Sequence, residues 1–388
     1  MPTVVLHPKK EQRVYSGHPW VFRSDIDRVE GPCQDGDVVR VVSSRGRFLA
    51  MAVYNPRSQI SLRILSRKEE PIDSAFIHRQ VKTAIDYRRT FADLNSCRLL
   101  FAESDGLPAV IADKFGDIVV LQVLCLGMEQ FKQDIVDALV EEVHPAGIYE
   151  RNDVPVRELE GLTLQTGLLY GTVPDRVEMV ENGVHFWVDV KEGQKTGFFL
   201  DQKENRAAIA PFVKGARVLD CFTHTGSFAL NAAAGGAARV TAADISAEAI
   251  AMAQRNAQRN GLTNMDFLCE DTFELLPRLE KEGHPYDFII LDPPAFTKAR
   301  RTVENAMRGY KEINYRAMKL LPRGGYLATA SCSHFATEEL FIKMLRAAAK
   351  DAHRQLRQIE VKQQAPDHPI LWGVPETNYL KFFLFQVI

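Results

Sequence analysis

The sequence predicts an α/β protein: a C-terminal doubly wound parallel sheet, preceded by a small all-β domain and a central α+β domain. Three observations predict it. From Arg217 onward, apolar strand-like runs alternate with helix-like segments almost without interruption. Arg217–Gly226, read Arg-Val-Leu-Asp-Cys-Phe-Thr-His-Thr-Gly, drives a short strand into Asp220 and a turn ending at Gly226. Acidic residues fall where the following strands end. Alternation of this kind is the pattern of a sheet with helices on both faces.

The 388 residues exceed one ordinary core and imply two or three domains, here 1–69, 70–175 and 176–388. Composition is that of a globular chain, 46% hydrophobic and 25% charged, and a net charge of -2 supplies no global pull toward nucleic acid. No apolar run approaches the roughly 18 residues of a membrane span. Met1–Lys10 lacks the apolar core of a secretory signal. Cys33, Cys97, Cys125, Cys221, Cys269 and Cys332 are scattered with no C-x-x-C pair, so no metal site and no disulfide framework is expected. The expectation is a cytoplasmic protein with free thiols.

Residues 1–68 carry twelve Lys/Arg against six Asp/Glu. The runs Asp37–Val42, Phe48–Val53 and Gln59–Leu65 are short, β-branched and punctuated by Gly, Asn, Pro and Ser, which predicts a small β unit. Its basic excess points to RNA phosphates. Trp20 and Phe22 lie beside Arg13 and Arg23, and are read as core rather than as stacking platforms. A helix is expected over 72–92, then strands Arg98–Ala102, Ala109–Ala112 and Ile118–Leu124, a helix Gln130–Val143 and a strand near Ile148–Glu150. Asp105 and Asp113 read as turn formers. Val184–Val190 alternates as a strand, and the polar, glycine-containing stretch that follows is expected to lie over a ligand.

In the C-terminal part, strands are expected at 217–220, 239–244, 265–269, 286–291, 325–330, 355–361 and 379–387. Helices are expected at 226–234, 246–260, 271–281, 303–321 and 336–350. Asp220, Asp244, Asp271 and Asp292 then line the carboxyl edge, where open α/β sheets bind nucleotide-like ligands. Asp244 stands about 20 residues past the glycine turn, the place of an acid that takes ribose hydroxyls. A dinucleotide dehydrogenase would use Asp244 equally well, but Thr223–Phe228 holds only Gly226, not G-x-G-x-x-G. Asp292-Pro293-Pro294-Ala295-Phe296 forms a rigid corner that fixes an aspartate and turns Phe296 toward a flat ring. Cys332, at a strand's carboxyl end before a helix start, is expected to feel a helix dipole that favours its thiolate, as a nucleophile requires.

With these residues in view, the sequence resembles the bacterial RlmI-like 23S ribosomal RNA cytosine-C5 methyltransferases. The likeness runs from Gly17-His18-Pro19-Trp20-Val21-Phe22 and Tyr54-Asn55-Pro56 through Gln194–Gln202, the glycine turn, Asp292-Pro293-Pro294 and Arg308-Gly309-Tyr310-Lys311. It continues to Ser331-Cys332-Ser333 and Gln364–Pro369. The resemblance implies a PUA-like RNA-binding domain, a central α+β domain and a class I S-adenosylmethionine (SAM) methyltransferase domain, with SAM as methyl donor. It implies SAM contacts at Gln202, Asp220, Phe222, Gly226, Asp244, Asp271 and Asp292: Asp244 on the ribose, Asp271 on the adenine amine and the Asp220 turn on the methionine part. Cys332 matches the nucleophile, with Asp292 beside it on the cytosine. Departures from the common wording are Ala-Phe after Asp292-Pro293-Pro294 and His-Phe after Ser331-Cys332-Ser333; neither removes a reacting group. The base that takes the C5 proton stays open among Asp292, water and Asp367-His368. Expected partners are 23S rRNA, free or in an assembly intermediate, with no membrane; a homodimer is an open alternative. Competing readings are methylation of a base nitrogen, as in guanine, and a non-catalytic RNA-binding assembly factor with a vestigial SAM fold.

Overall fold

Strand and helix boundaries follow the apolar periodicity closely in the C-terminal part and less closely near the start. The computed structural model describes residues 1–283, 286–297 and 300–388. It divides into two compact units, one of 1–179, 188–200 and 366–377, the other of 180–187, 201–365 and 378–388.

The first unit opens with β1 (Thr3–Leu6), α1 (Glu11–Tyr15), β2 (Trp20–Phe22), β3 (Ile26–Glu30), β4 (Val38–Val42), β5 (Phe48–Tyr54) and β6 (Ile60–Ser66). These strands form one sheet in the order β2-β6-β5-β4-β1-β3. β4, β5 and β6 match the three expected runs; β1, β2 and β3 were not expected. β3 reads Ile-Asp-Arg-Val-Glu at the sheet's edge and is mostly exposed. An edge strand buries too little to write an alternating apolar pattern. β1 is held by a parallel ladder to β4, with Val4 opposite Val41, a pairing across more than thirty residues.

Next come α2 (Ser74–Arg89), β7 (Ser96–Phe101), β8 (Val110–Phe115), β9 (Ile118–Val123), α3 (Leu126–Glu129), α4 (Lys132–Val143), β10 (Gly147–Asn152), α5 (Val156–Leu159) and β11 (Gln165–Gly171). The sheet order is β11-β10-β9-β8-β7. Ile77, Val81 and Ile85 of α2 share a core with Ile135 and Leu139 of α4 and with Leu99, Val119 and Leu121 of the sheet. Asp105 and Asp113 are not simple turn formers. Asp113 lies within β8, fully buried, and takes two hydrogen bonds from Arg98 at 2.7 Å and one from Thr196 at 2.6 Å. Asp105 is bonded in the same two-pronged way by Arg88. The Thr196 bond, with that from Arg151 to the Gly193 carbonyl at 2.9 Å, ties the polar stretch 189–197 to this sheet.

A two-stranded hairpin follows, β12 (Val177–Glu181) and β13 (Val184–Val188). The second unit then runs α6 (Lys203–Ala208), α7 (Ala210–Val213), β14 (Arg217–Asp220), α8 (Ser227–Ala234), β15 (Arg239–Asp244), α9 (Ala247–Arg259) and β16 (Met265–Cys269). It continues with α10 (Thr272–Glu282), β17 (Phe288–Leu291), α11 (Val303–Leu320), β18 (Tyr326–Ser331), α12 (Glu338–Asp351), β19 (Leu356–Lys362) and β20 (Lys381–Val387). The seven strands lie in the order β16-β15-β14-β17-β18-β20-β19, with β20 antiparallel to both its neighbours. Strand periodicity of two sorts the core. Val218, Phe288, Ile290 and Ala328 face α7 and α8, while Leu219, Ile289, Leu291 and Leu327 face α10, α11 and α12.

Arg206 and Glu181 form an ion pair with no solvent exposure, bonded at 2.5 and 2.8 Å. Removing one partner strands a buried charge. Glu181→Ala is expected to cost about 3–5 kcal/mol in urea unfolding, and the apolar double replacement Glu181→Leu/Arg206→Met much less.

Candidate active site at the carboxyl edge of the seven-stranded sheet

Strand order reverses between β14 and β17, which opens the ligand crevice at their carboxyl ends. The turn after β14 is pinned from three sides. Cys221 donates to the Ile290 carbonyl at 3.1 Å, Thr223 to that of Ala243 at 2.9 Å, and the Asn256 side chain to that of Thr225 at 2.9 Å. Gly226 closes the turn at φ 91°, where a Cβ would stand 2.2 Å from Leu230 Cδ1. Glycine is therefore required for both conformation and space.

Asp220 ends β14 with no solvent exposure, and neither carboxylate oxygen has a hydrogen-bond partner. Burial pushes its carboxyl up to about 7, aided by the charges of Asp292 and Asp244; the Thr223 hydroxyl and the Phe222 amide lie near enough to offset this in part, though neither is aligned for a hydrogen bond of good geometry. An orphaned buried carboxylate at a ligand-binding edge fits a cationic hydrogen-bond donor, and the ammonium of SAM is one. Asp244 is half-buried, and each oxygen takes one backbone amide: His224 at 2.8 Å and Ser246 at 3.0 Å. One further lone pair on each oxygen is left for a diol. Ile245 beside it is 70% exposed, and Phe273 beside Asp271 is 43% exposed. Two bare apolar side chains next to acids suit the faces of a purine ring. Neither was foreseen from sequence; an apolar residue one place after Asp244 and two places after Asp271 was the available signal. Asp271 itself caps α10, accepting from Phe273 at 2.8 Å through Oδ1. Phe222 is half-buried against the core on the α10–α12 side.

Gln202 and Asp292, 90 residues apart, meet: Gln202 Nε2 donates to Asp292 Oδ1 at 2.7 Å. Asn205 in turn donates to Gln202 Oε1 at 2.6 Å, which orients the amide. β17 and β18 are parallel neighbours, Leu291 opposite Thr329, so Asp292 and Cys332 leave the sheet from adjacent strands.

Cys332 is half-buried, its flanks held from beneath. The Tyr310 hydroxyl bonds both Ser331 and Ser333 side chains at 3.0 Å. Phe296 is half-buried, tilted at 41° against Tyr310 with ring centroids 4.6 Å apart, and lies against Gly309. α12 begins at Glu338, six residues past Cys332 and within two of the expected start. A positive charge near the thiol comes from Lys381. Paired with Ser331 across β18 and β20, it donates to the Ser333 carbonyl at 2.8 Å and interacts electrostatically with Cys332. Burial pushes the Lys381 ammonium down to about 8, with the Cys332 thiol acting the other way. Lys381 sits some fifty residues beyond the cysteine in an apolar strand, and only its charge within Lys-Phe-Phe-Leu-Phe marked it.

Asp367 and His368 are each 2% exposed. They bond each other at 2.7 Å, and Asp367 accepts the Arg98 amide at 3.0 Å.

The seven-stranded sheet with its glycine turn and acid-lined edge defines a class I SAM-dependent methyltransferase domain. A family model of PUA-like domains matches residues 4–67, and one of S-adenosylmethionine-dependent methyltransferases matches 165–386. A ribosomal RNA large subunit methyltransferase I of Klebsiella pneumoniae is 40% identical, over 100% of this chain and 98% of that protein. Its Vibrio cholerae counterpart is 41% identical over 100% of both. A candidate SAM-dependent methyltransferase from Streptococcus mutans superposes over both full chains with a TM-score of 0.83 at 22% identity. A candidate methyltransferase solved with SAH does so with a TM-score of 0.86 at 23% identity. The chain belongs to the family of the ribosomal RNA large subunit methyltransferase I proteins.

The raised Asp220 carboxyl has a consequence for stability. The fold keeps its proton up to about 7, whereas the unfolded chain loses it near the ordinary value of 3.8. Stability of the SAM-free protein therefore falls through this group as pH rises from about 4 to about 7. Asp220→Asn is expected to flatten that fall, so its thermal midpoint gains on the wild type's between about pH 5 and pH 8.

Proposed function

We propose that the protein methylates C5 of a cytosine in large-subunit ribosomal RNA, with Cys332 as the nucleophile. The observation that carries the reading is the half-exposed Cys332 thiol beside a buried ammonium, one strand from an aspartate held by Gln202. When bound, SAM supplies an electrophilic methyl group. Asp220 would take its ammonium, Asp244 the ribose hydroxyls and Asp271 the adenine amine. Ile245 and Phe273 would cover the purine, while Gln202, Phe222 and Gly226 shape the same pocket.

Cytosine C5 is a weak nucleophile. The Cys332 thiolate adds to C6, forming an S–C6 bond and making C5 enamine-like, so that C5 can accept the methyl group. Asp292 hydrogen-bonds the N3/N4 edge and stabilises the adduct. A base then takes the C5 proton, with Asp292, water and Asp367-His368 as the candidates, the C5–C6 double bond re-forms and the S–C6 bond breaks. Lys381 is a positioning residue: its ammonium favours the thiolate over the thiol. The target must be unstacked, which favours a loop or rRNA not yet packed into a particle, reached in the cytoplasm.

The PUA-like sheet would hold the RNA backbone. Much of its basic excess is spent internally, as in Arg63 with Glu103 and Glu160, or Arg57 with Asp35. Lys9, Arg23, Arg45, Arg47 and Lys68 remain solvent-facing for phosphates. Trp20 and Phe22 are half-buried, Trp20 donating to Glu103 at 2.8 Å and Phe22 lying under Arg13, and neither joins the buried cluster of that sheet that their reading as core expected.

Cys332→Ala is expected to abolish methylation of an unmodified 23S rRNA transcript while leaving SAM affinity unchanged by calorimetry. Full activity would point instead to a ring nitrogen or exocyclic amine as acceptor. Lys381→Met is expected to move the rising acidic limb of the kcat/KM–pH profile up by about one unit, because the thiolate loses its cation, and Lys381→Arg to restore it. An unmoved limb would leave Lys381 a purely structural residue.

A further inference from the structure

The loop that carries Cys332 runs on through His334 and Phe335 into a groove of about 900 Å³ between α11 and α12. Glu304, Met307, Arg308 and Lys311 recur at helical spacing on α11; Leu340, Lys343, Met344 and Ala347 do so on α12. Each helix thus turns a stripe of mixed apolar and cationic side chains into the groove. Met307, Leu340 and Met344 supply its apolar part. Arg301, Arg308, Lys311 and Lys343 line it against a single carboxylate, Glu304.

Two of the four cations have partners that phosphate can replace: Arg308 with Glu304 at 3.0 Å and Lys311 with Asp351 at 2.6 Å, both solvent-exposed pairs. Among the described residues, neither Arg301 nor Lys343 stands in an ion pair. His334 is exposed and Phe335 half-buried. They follow Cys332 by two and three residues, so their Cα atoms lie within about 11 Å of its Cα. A polymer whose base reaches the thiol must therefore place its neighbouring nucleotides at this end of the groove.

We propose that the α11–α12 groove is the track for the single-stranded RNA flanking the target base. Its cations take phosphates, and the His334–Phe335 end stacks an adjacent base. Cations interleaved with apolar side chains, continuous with the nucleophile's own loop, fit a chain of phosphates and rings better than an acidic peptide. On the adjoining surface of α12, Glu338 and Glu339 are matched by Lys343 and Arg346.

This inference rests on the RNA reading above. The test compares the wild type with Arg301→Glu/Lys343→Glu, and with Lys343→Ala as a milder variant, on an unmodified 23S rRNA transcript. Expected for the double variant are an RNA Kd weakened about tenfold or more and a salt slope reduced by about two. SAM Kd, thermal midpoint and kcat at saturating RNA should stay at wild-type values. Unchanged RNA Kd and slope, in an enzyme whose wild type methylates the transcript, would overturn the track alone. A wild type that neither binds nor methylates the transcript would overturn the RNA reading and the track with it. Unchanged RNA affinity with lost binding of poly-glutamate would reassign the groove to a protein partner.

Discussion

The parallel pairing of β17 with β18 is the constraint on which the proposed chemistry depends. With Leu291 opposite Thr329, the two strands deliver Asp292 and Cys332 to the same edge. A parallel ladder has no tight turn to set its register. Here the register is held by side chains of one face, Ile289, Leu291 and Leu327, packed under α11 and α12. Tyr310 then works at the interface between that core and the edge. Its ring joins the buried cluster, and its hydroxyl holds the serines on both sides of Cys332.

Two buried ionisable groups carry opposite costs at that edge. Asp220 is a carboxylate without a donor, and Lys381 an ammonium with one carbonyl acceptor. In the SAM-free protein both are displaced toward their neutral forms by burial. In the proposed function each would meet a group of opposite sign: the SAM ammonium for Asp220, the Cys332 thiolate for Lys381. Strain of this kind is what a binding site keeps and a stability-optimised core would remove.

The first unit handles its charges differently. Glu160, almost fully buried, receives Asn55, Ser58 and Arg63, so residues of the small β sheet are tied to the turn after α5. Asp113 and Asp105 likewise each hold an arginine in a two-pronged grip. Such groups are fully partnered, and none is poised as the sheet-edge acids are. The contrast separates structural from reactive carboxylates by what they lack, not by residue type.

By itself the sequence determined the doubly wound sheet, since its apolar runs were long, regular and bounded by glycine and acid; those boundaries fall within two residues of the observed ones. It also picked out Asp220, Gly226, Asp244, Asp271, Asp292 and Cys332, because strand-end residues of an α/β sheet share one edge by topology alone. It could not reveal β1 and β3, whose place depends on pairing with distant strands. Nor could it join Gln202 to Asp292 or name the cation beside Cys332. Lys381 arrives some fifty residues after the cysteine, from a strand that pairs antiparallel with β18. Periodicity records which face a residue turns to the core; only the folded chain decides which distant side chain stands opposite it.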